Sequence, residues 1–165
     1  FYAPEGARKD ALEEAIPRGV PSFPQEGGDL GARMYNVFKF LFGKGCAKAA
    51  IIGTDSPDMP ADYIKSSFAL LDGASLVLGP AKDGGYYLIA MDRLLETVFS
   101  GISWSTGAVL EQTVEKAKEG GIALRLLPLW HDMDTFEDLA LLSGGTDALV
   151  SANYLKIKGY SITPP

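Results

Sequence analysis

Asp55 lies in the segment Gly53-Thr54-Asp55-Ser56-Pro57-Asp58, three residues beyond the apolar run Ala49-Ala50-Ile51-Ile52. A carboxylate at the end of a buried strand is held on a rigid element and opens into a crevice. Hard cations such as Mg²⁺ and Mn²⁺ take oxygen ligands of this kind. Pro57 and Pro60 stiffen the loop. Asp58 reads instead as a turn-former or helix cap. Asp132 and Asp134 follow the run at 122–127 by a short loop and could supply a second carboxylate. Two carboxylates from separate strand ends, with substrate phosphates, make an Mg²⁺ site. Taken alone, Asp134-Thr135 equally suits ordinary helix capping.

A second group of residues suits a sugar or a nucleotide. Asp83-Gly84-Gly85 lets backbone come close to a ligand, because neither glycine carries a Cβ. Asp83 there could bind a sugar hydroxyl or act as a base, or the segment could be only a tight turn between strands. Trp104-Ser105-Thr106 precedes a helix, whose N-terminus can bind an anion while the indole stacks on a base or sugar. Gln25-Glu26-Gly27-Gly28-Asp29 offers a similar geometry. Capping and packing would account for either segment equally well. His131 is the single histidine, so any histidine-based triad or zinc site would have to use it. No Cys/His ligand set and no Gly-x-Ser-x-Gly elbow accompanies it. Phe42-Gly43-Lys44-Gly45 lacks the Ser/Thr and the earlier glycine of a P-loop.

These residues need elements to place them. The apolar positions Leu30, Met34, Val37, Phe38, Leu41 and Phe42 recur at a helical period, which predicts a helix over 29–42 with Asp29 as its N-cap and Gly43 and Gly45 at its end. The continuous apolar runs at 49–52 and 75–78 read as strands buried on both faces. Further strands are expected at 20–23, 86–91 and 122–127, and further helices at 60–71 and after Thr106. Strands alternating with helices predict an α/β sandwich with a mostly parallel sheet. Ligands of such sheets sit at the carboxyl ends of the strands. That rule picks out the segments at 53–58, 79–85 and 131–134.

The composition suits one globular domain: 165 residues, 47% hydrophobic, 22% charged. The net charge of -6, with no Lys/Arg cluster, argues against nucleic acid as the main partner. The single cysteine, Cys46, rules out an internal disulfide framework and reads as a packing residue in a reducing, cytoplasmic setting. No apolar run approaches the roughly 18 residues of a membrane span. The chain opens on Phe1-Tyr2-Ala3-Pro4 rather than Met, which reads like the end of a strand whose N-terminal portion is missing.

Five segments occur in order: Gln25-x-Gly27-Gly28-Asp29-Leu30-Gly31-x-Arg33-Met34; Ile52-Gly53-Thr54-Asp55-Ser56-Pro57-Asp58; Leu78-Gly79-Pro80-Ala81-x-Asp83-Gly84-Gly85-Tyr86-Tyr87-Leu88; Gly101-Ile102-Ser103-Trp104-Ser105-Thr106; and Asp132-Met133-Asp134-Thr135-x-Glu137-Asp138-Leu139. The set resembles the glycosyltransferase-like family associated with radical-SAM and selenodomain gene neighbourhoods, within the nucleotide-diphospho-sugar transferase superfamily. The resemblance implies a GT-A fold over residues 1–143, with 144–165 as an appendage of the same domain. It implies a nucleotide-sugar or NTP substrate, a small-molecule acceptor, and Mg²⁺ or Mn²⁺ held by Asp55 and Asp134. Asp83 would be catalytic, with Asp29, Gly84, Gly85, Tyr86, Trp104, Ser105 and Thr106 binding substrate. The implied activity is metal-dependent glycosyl transfer. Guanylyltransferase-like nucleotidyl transfer, or nucleotide-sugar binding without turnover, stand as alternatives. Members of the family begin with a strand and a Pro/Gly/Lys-rich loop that should bind the nucleotide, and that segment is absent here.

Overall fold

The computed structural model describes residues 19–54, Ser56 and 58–131. Helix α1 (Leu30–Gly43), the first among the described residues, starts where its cap predicts: the Asp29 carboxylate accepts from the Ala32 N–H at 2.7 Å. Its buried face carries Gly31, Met34, Val37 and Phe38. The helix ends in a Schellman turn. Gly45 takes φ +87°, its N–H donates to Phe42 O at 2.9 Å, and the Cys46 N–H donates to Leu41 O at 3.2 Å. Cys46 itself is exposed. The turn that stops the helix lifts the residue off the core, so the expected packing role is not met.

Among the described residues, four strands form one sheet: β1 (Ala49–Ile52), β2 (Leu76–Pro80), β3 (Tyr86–Met91) and β4 (Leu124–Leu126), in the order β1-β3-β2-β4. Helix α2 (Ala61–Leu70) joins β1 to β2, and α3 (Val109–Glu119) precedes β4. A short 3-10 helix, Glu96–Phe99, which the hydrophobic pattern did not announce, lies between β3 and α3. The stretch at 20–23 forms no strand. Pro21 and Pro24 remove two of the N–H groups a strand would need there.

The sheet is mixed, which corrects the expectation of a mostly parallel one. β3 runs antiparallel to both β1 and β2, and only β2 and β4 pair in parallel. The reason is the connection. Residues 81–85 alone link β2 to β3, whereas a parallel return needs a crossover of a dozen or more residues. Since β1 and β2 each oppose β3, the strands β1, β2 and β4 point the same way. Their carboxyl ends share one edge of the sheet.

The sheet is covered on both faces. One face packs Leu76, Leu78, Ile89 and Met91 against Met34 and Phe38 of α1, Val98 and Phe99 of the 3-10 helix, and Ala117 of α3. The other packs Val77, Leu88 and Ala90 against Tyr63, Ile64 and Leu70 of α2. Burial on both faces explains why β2 and β3 read as unbroken apolar runs. The strict alternation fails once. The register slips at Gly79/Pro80, where Gly79 faces Leu88 but Pro80 faces Tyr86. This bulge gives Tyr87 an extra place and reverses the parity of the strand's start. Tyr86 therefore turns toward the α1/α3 face, and Tyr87 toward the α2 face.

Among the described residues, no helix is long and apolar enough to cross a membrane.

Candidate active site

The carboxyl ends of β1, β2 and β4 carry three loops, and side-chain and backbone contacts link them into one rim. On the α2 side the anchor is Trp130. Its N–H donates to Pro80 O at 3.0 Å and its carbonyl accepts from the Lys82 N–H at 3.1 Å, which fastens it to the end of β2. Its indole meets Tyr63 edge-on at 5.5 Å and stacks on His131 at 5.0 Å. The Asp58 carboxylate accepts from the indole N–H at 3.2 Å through one oxygen and pairs with His131 Nε2 at 3.1 Å through the other. Ser56 Oγ donates to His131 O at 3.2 Å. Asp58 is thus a tie between loops rather than a helix cap. Trp130, which sequence reasoning passed over, is the rim's fixed point. Its place beside His131 and the Asp132-Met133-Asp134 segment was the available signal.

The turn after β2 is closed locally. The Gly85 N–H donates to Asp83 Oδ1 at 2.8 Å, and the Ala81 N–H donates to Gly85 O at 3.0 Å. Asp83 is exposed, and among the described residues its Oδ2 has no partner. Gly84 sits at φ +88°, and a Cβ there would run into the Gly107 carbonyl. The turn and the 103–107 loop are therefore pressed together.

That loop reaches on to α1. The Trp104 indole lies so close over Gly31 that a Cβ at Gly31 would overlap its ring. It also packs against the apolar cluster under α1, so the half-buried indole is held by the protein rather than standing out as a stacking platform. Thr106 Oγ1 donates to Ser103 O at 2.7 Å and accepts from the Ala108 N–H at 3.3 Å. The Val109 N–H turns to Thr106 O at 3.4 Å, and the Leu110 N–H to Gly84 O at 2.9 Å. The first donors of α3 are thus engaged internally, which differs from the open anion-binding terminus anticipated there. Ser105, exposed between them, takes φ 62°, a region non-glycine residues seldom occupy. Asp29 is committed to capping α1, and its loop is tied down by Asn36 Nδ2 donating to Glu26 O at 2.8 Å and Arg33 Nε donating to Gly27 O at 3.2 Å.

Tyr86 was expected to line the pocket, and the bulge sends its phenol into the core. Its hydroxyl is buried without a hydrogen-bond partner. Thr113 lies close enough to ease its proton affinity slightly, but forms no well-aligned bond to it and donates its own proton to Val109 O at 2.8 Å. Burial pushes the Tyr86 phenol far above the usual tyrosine range. Burial, and then the neighbouring Tyr63, raise Tyr87 to about 12. Tyr87 donates to Pro128 O at 3.0 Å.

The expected metal ligands Asp55 and Asp134 lie outside the described residues. Among those described, no three His, Cys, Asp or Glu groups are placed to hold a cation. Ser56 and Asp58, on either side of Asp55 in the chain, both reach His131, and carboxylates such as Asp55 and Asp134 are the donors a hard cation takes.

These features define an α/β protein with a rim of polar loops at the carboxyl ends of its strands. The chain belongs to the family described as "uncharacterized protein conserved in bacteria" (DUF2064), whose profile matches residues 1–106. It is also similar to a solved structure from Desulfovibrio desulfuricans G20, a "putative nucleotide-diphospho-sugar transferase". The two share 32% identity with a TM-score of 0.79, covering 96% of this chain and 74% of that one. No curated protein matches.

Proposed function

We propose that this chain is the core of a metal-dependent transferase acting on a nucleotide-diphospho-sugar and passing the glycosyl group to a small acceptor. The observation that carries the reading is the likeness to the Desulfovibrio structure over 96% of the chain. The rim described above lies where ligands of α/β sheets bind. A finer placement, among the radical-SAM/selenodomain-associated glycosyltransferase-like proteins, belongs to the same proposal.

Asp83 is the acceptor-side group. Oδ1 is fixed by the Gly85 N–H, which leaves Oδ2 to take a hydrogen bond from an acceptor hydroxyl and then its proton as that oxygen attacks the anomeric carbon. The bond from that carbon to the nucleoside diphosphate breaks, and the diphosphate leaves with the electron pair. Gly84 and Gly85 keep the turn low enough for a sugar to lie against it. Asp29, Trp104, Ser105 and Thr106 shape the adjoining wall, mainly by holding α1 and α3 in place. Asp55 and Asp134 would hold Mg²⁺ or Mn²⁺. When bound, the ion would supply charge stabilisation for the diphosphate.

Isothermal titration of the protein with uridine, guanosine and cytidine diphosphate sugars and the matching triphosphates, with and without Mn²⁺, tests this reading. Mn²⁺-dependent binding of a nucleotide-sugar that is lost in Asp55→Ala is the expected result. Binding confined to triphosphates, with pyrophosphate released in the presence of an acceptor, would favour nucleotidyl transfer instead. Absence of binding, or binding indifferent to Asp55→Ala, would overturn the proposal.

A further inference from the structure

We propose that β1 is a docking edge for a second copy of this chain. The two β1 strands pair antiparallel about a two-fold axis and join two sheets into one. The transferase reading above is not needed for this pairing.

Among the described residues the sheet has two edge strands, and only one is guarded. β4 is three residues long, carries Arg125 at its centre and is soon followed by Pro128. Shortness, charge and proline are devices that keep an edge from pairing. The four residues of β1, Ala49-Ala50-Ile51-Ile52, are all apolar, and their register with β3 runs without a bulge. The Gly53 N–H donates to Tyr87 O at 2.9 Å. In an antiparallel ladder this turns the polar groups of Ala49, Ile51 and Gly53 to β3 and those of Ala50 and Ile52 outward. Among the described residues nothing bonds to that outward row. Ile52 is 44% exposed. Beside the strand, a groove of about 330 Å³ is lined by Gln25, by Met34, Val37 and Leu41 of α1, and by β1 itself.

The strand fits a copy of itself. A two-fold axis through Ile51 sets Ala50 opposite the partner's Ile52, and Ile52 opposite the partner's Ala50. Every outward N–H and C=O of these residues is then bonded. Ala50 lies on the α2 face, and Ile52 shares its parity, so on that face each exposed isoleucine covers a small alanine. Ile51 lies on the α1 face, where the two Ile51 side chains meet beside the groove. Charge selects the same alignment. Lys44 and Lys48 precede β1, and the acidic 53–58 loop, with Asp55 and Asp58, follows it. Antiparallel pairing sets the basic end of one strand against the acidic end of the other, whereas parallel pairing would oppose like charges. The two rims at the carboxyl ends of the strands then open on opposite edges of the joined sheet.

The test is sedimentation equilibrium of the full chain over a range of concentrations, with Ile52→Lys and Ala50→Pro at the β1 edge. Leu126→Lys, the like change at an exposed residue of β4, is the control. Wild type is expected to reach a dimer as concentration rises. Ile52→Lys puts a charge on the paired face, and Ala50→Pro removes an outward donor while sparing the bonds to β3. Each is expected to weaken association about 100-fold, about tenfold for each symmetry-related copy. Leu126→Lys should associate as wild type does. Amide hydrogen exchange of wild type needs no variant and stands should either one fail to fold: protection at Ala50 and Ile52 should rise with concentration. A chain monomeric throughout, or one growing past the dimer, overturns the proposal. So does association unmoved by both β1 variants or weakened equally by Leu126→Lys, and so does exchange at Ala50 and Ile52 indifferent to concentration.

Discussion

The Leu110 N–H donates a 2.9 Å hydrogen bond to the carbonyl of Gly84, joining the first turn of α3 to the turn between β2 and β3. It leaves room for no side chain at Gly84, where φ is +88° and Gly107 closes the space. Gly84→Ala must either force an alanine into the left-handed region or push the 103–107 loop away. The expected loss is about 2–5 kcal/mol, summing the left-handed penalty and overpacking. It is read as a lower denaturation midpoint at constant m. A loss under about 0.5 kcal/mol would mean that the two loops are not in contact.

Gly31→Ala sets two effects against each other. Alanine in place of glycine inside a helix is worth about 1 kcal/mol in propensity. At Gly31, however, the new methyl overlaps the Trp104 indole, and overpacking costs about 1–3 kcal/mol. The overlap is expected to win, giving net destabilisation. In a Trp130→Phe background, the emission of Trp104 should shift to the red as its ring is displaced toward water. Net stabilisation with unchanged emission would contradict the packing.

Tyr86→Phe removes a buried hydroxyl that has no partner. Leaving such a group unmade costs about 1–3 kcal/mol. The variant should therefore be more stable than wild type at neutral pH by about 1 kcal/mol, the reverse of the usual Tyr→Phe effect. Nucleotide-sugar binding should be unaffected, because the phenol faces the core. Equilibrium denaturation and titration of the same variant check both statements.

Alkaline stability follows from the tyrosines. Burial raises the Tyr87 phenol from 10.0 to about 12, and raises Tyr86 further. Between the unfolded and folded values, the native state binds more protons than the unfolded one. The stabilising contribution is therefore complete below about pH 10 and is lost as pH rises toward 12 and beyond. Unfolding free energy should fall across that window, and Tyr87→Phe should flatten the slope. An identical slope in the variant would count against a buried, neutral Tyr87.

Much of this protein was legible from residue order alone. The helical period with Asp29 before it fixed α1 to within a residue. The apolar runs located β1 and β3 as observed; β3 is buried on both faces as such a run implies, whereas β1 is the edge strand and leaves Ile52 exposed, which corrects its expected burial. The segments following β1, β2 and β4 were named as the ligand edge, and three of the four strands do end there. Strand direction was also within reach, since a link of residues 81–85 is too short for a crossover. The general preference for parallel sheets in alternating α/β patterns overrode that local count. Three features needed the tertiary structure. The register slip at Gly79/Pro80 decides which way Tyr86 and Tyr87 face, and a bulge depends on how two strands pair. Trp104 is held by Gly31, a contact between distant segments. Asp58 finds Trp130 and His131 across more than seventy residues. Sequence spacing specifies local geometry, and these pairings exist only because the packed sheet brings separate loops to one edge.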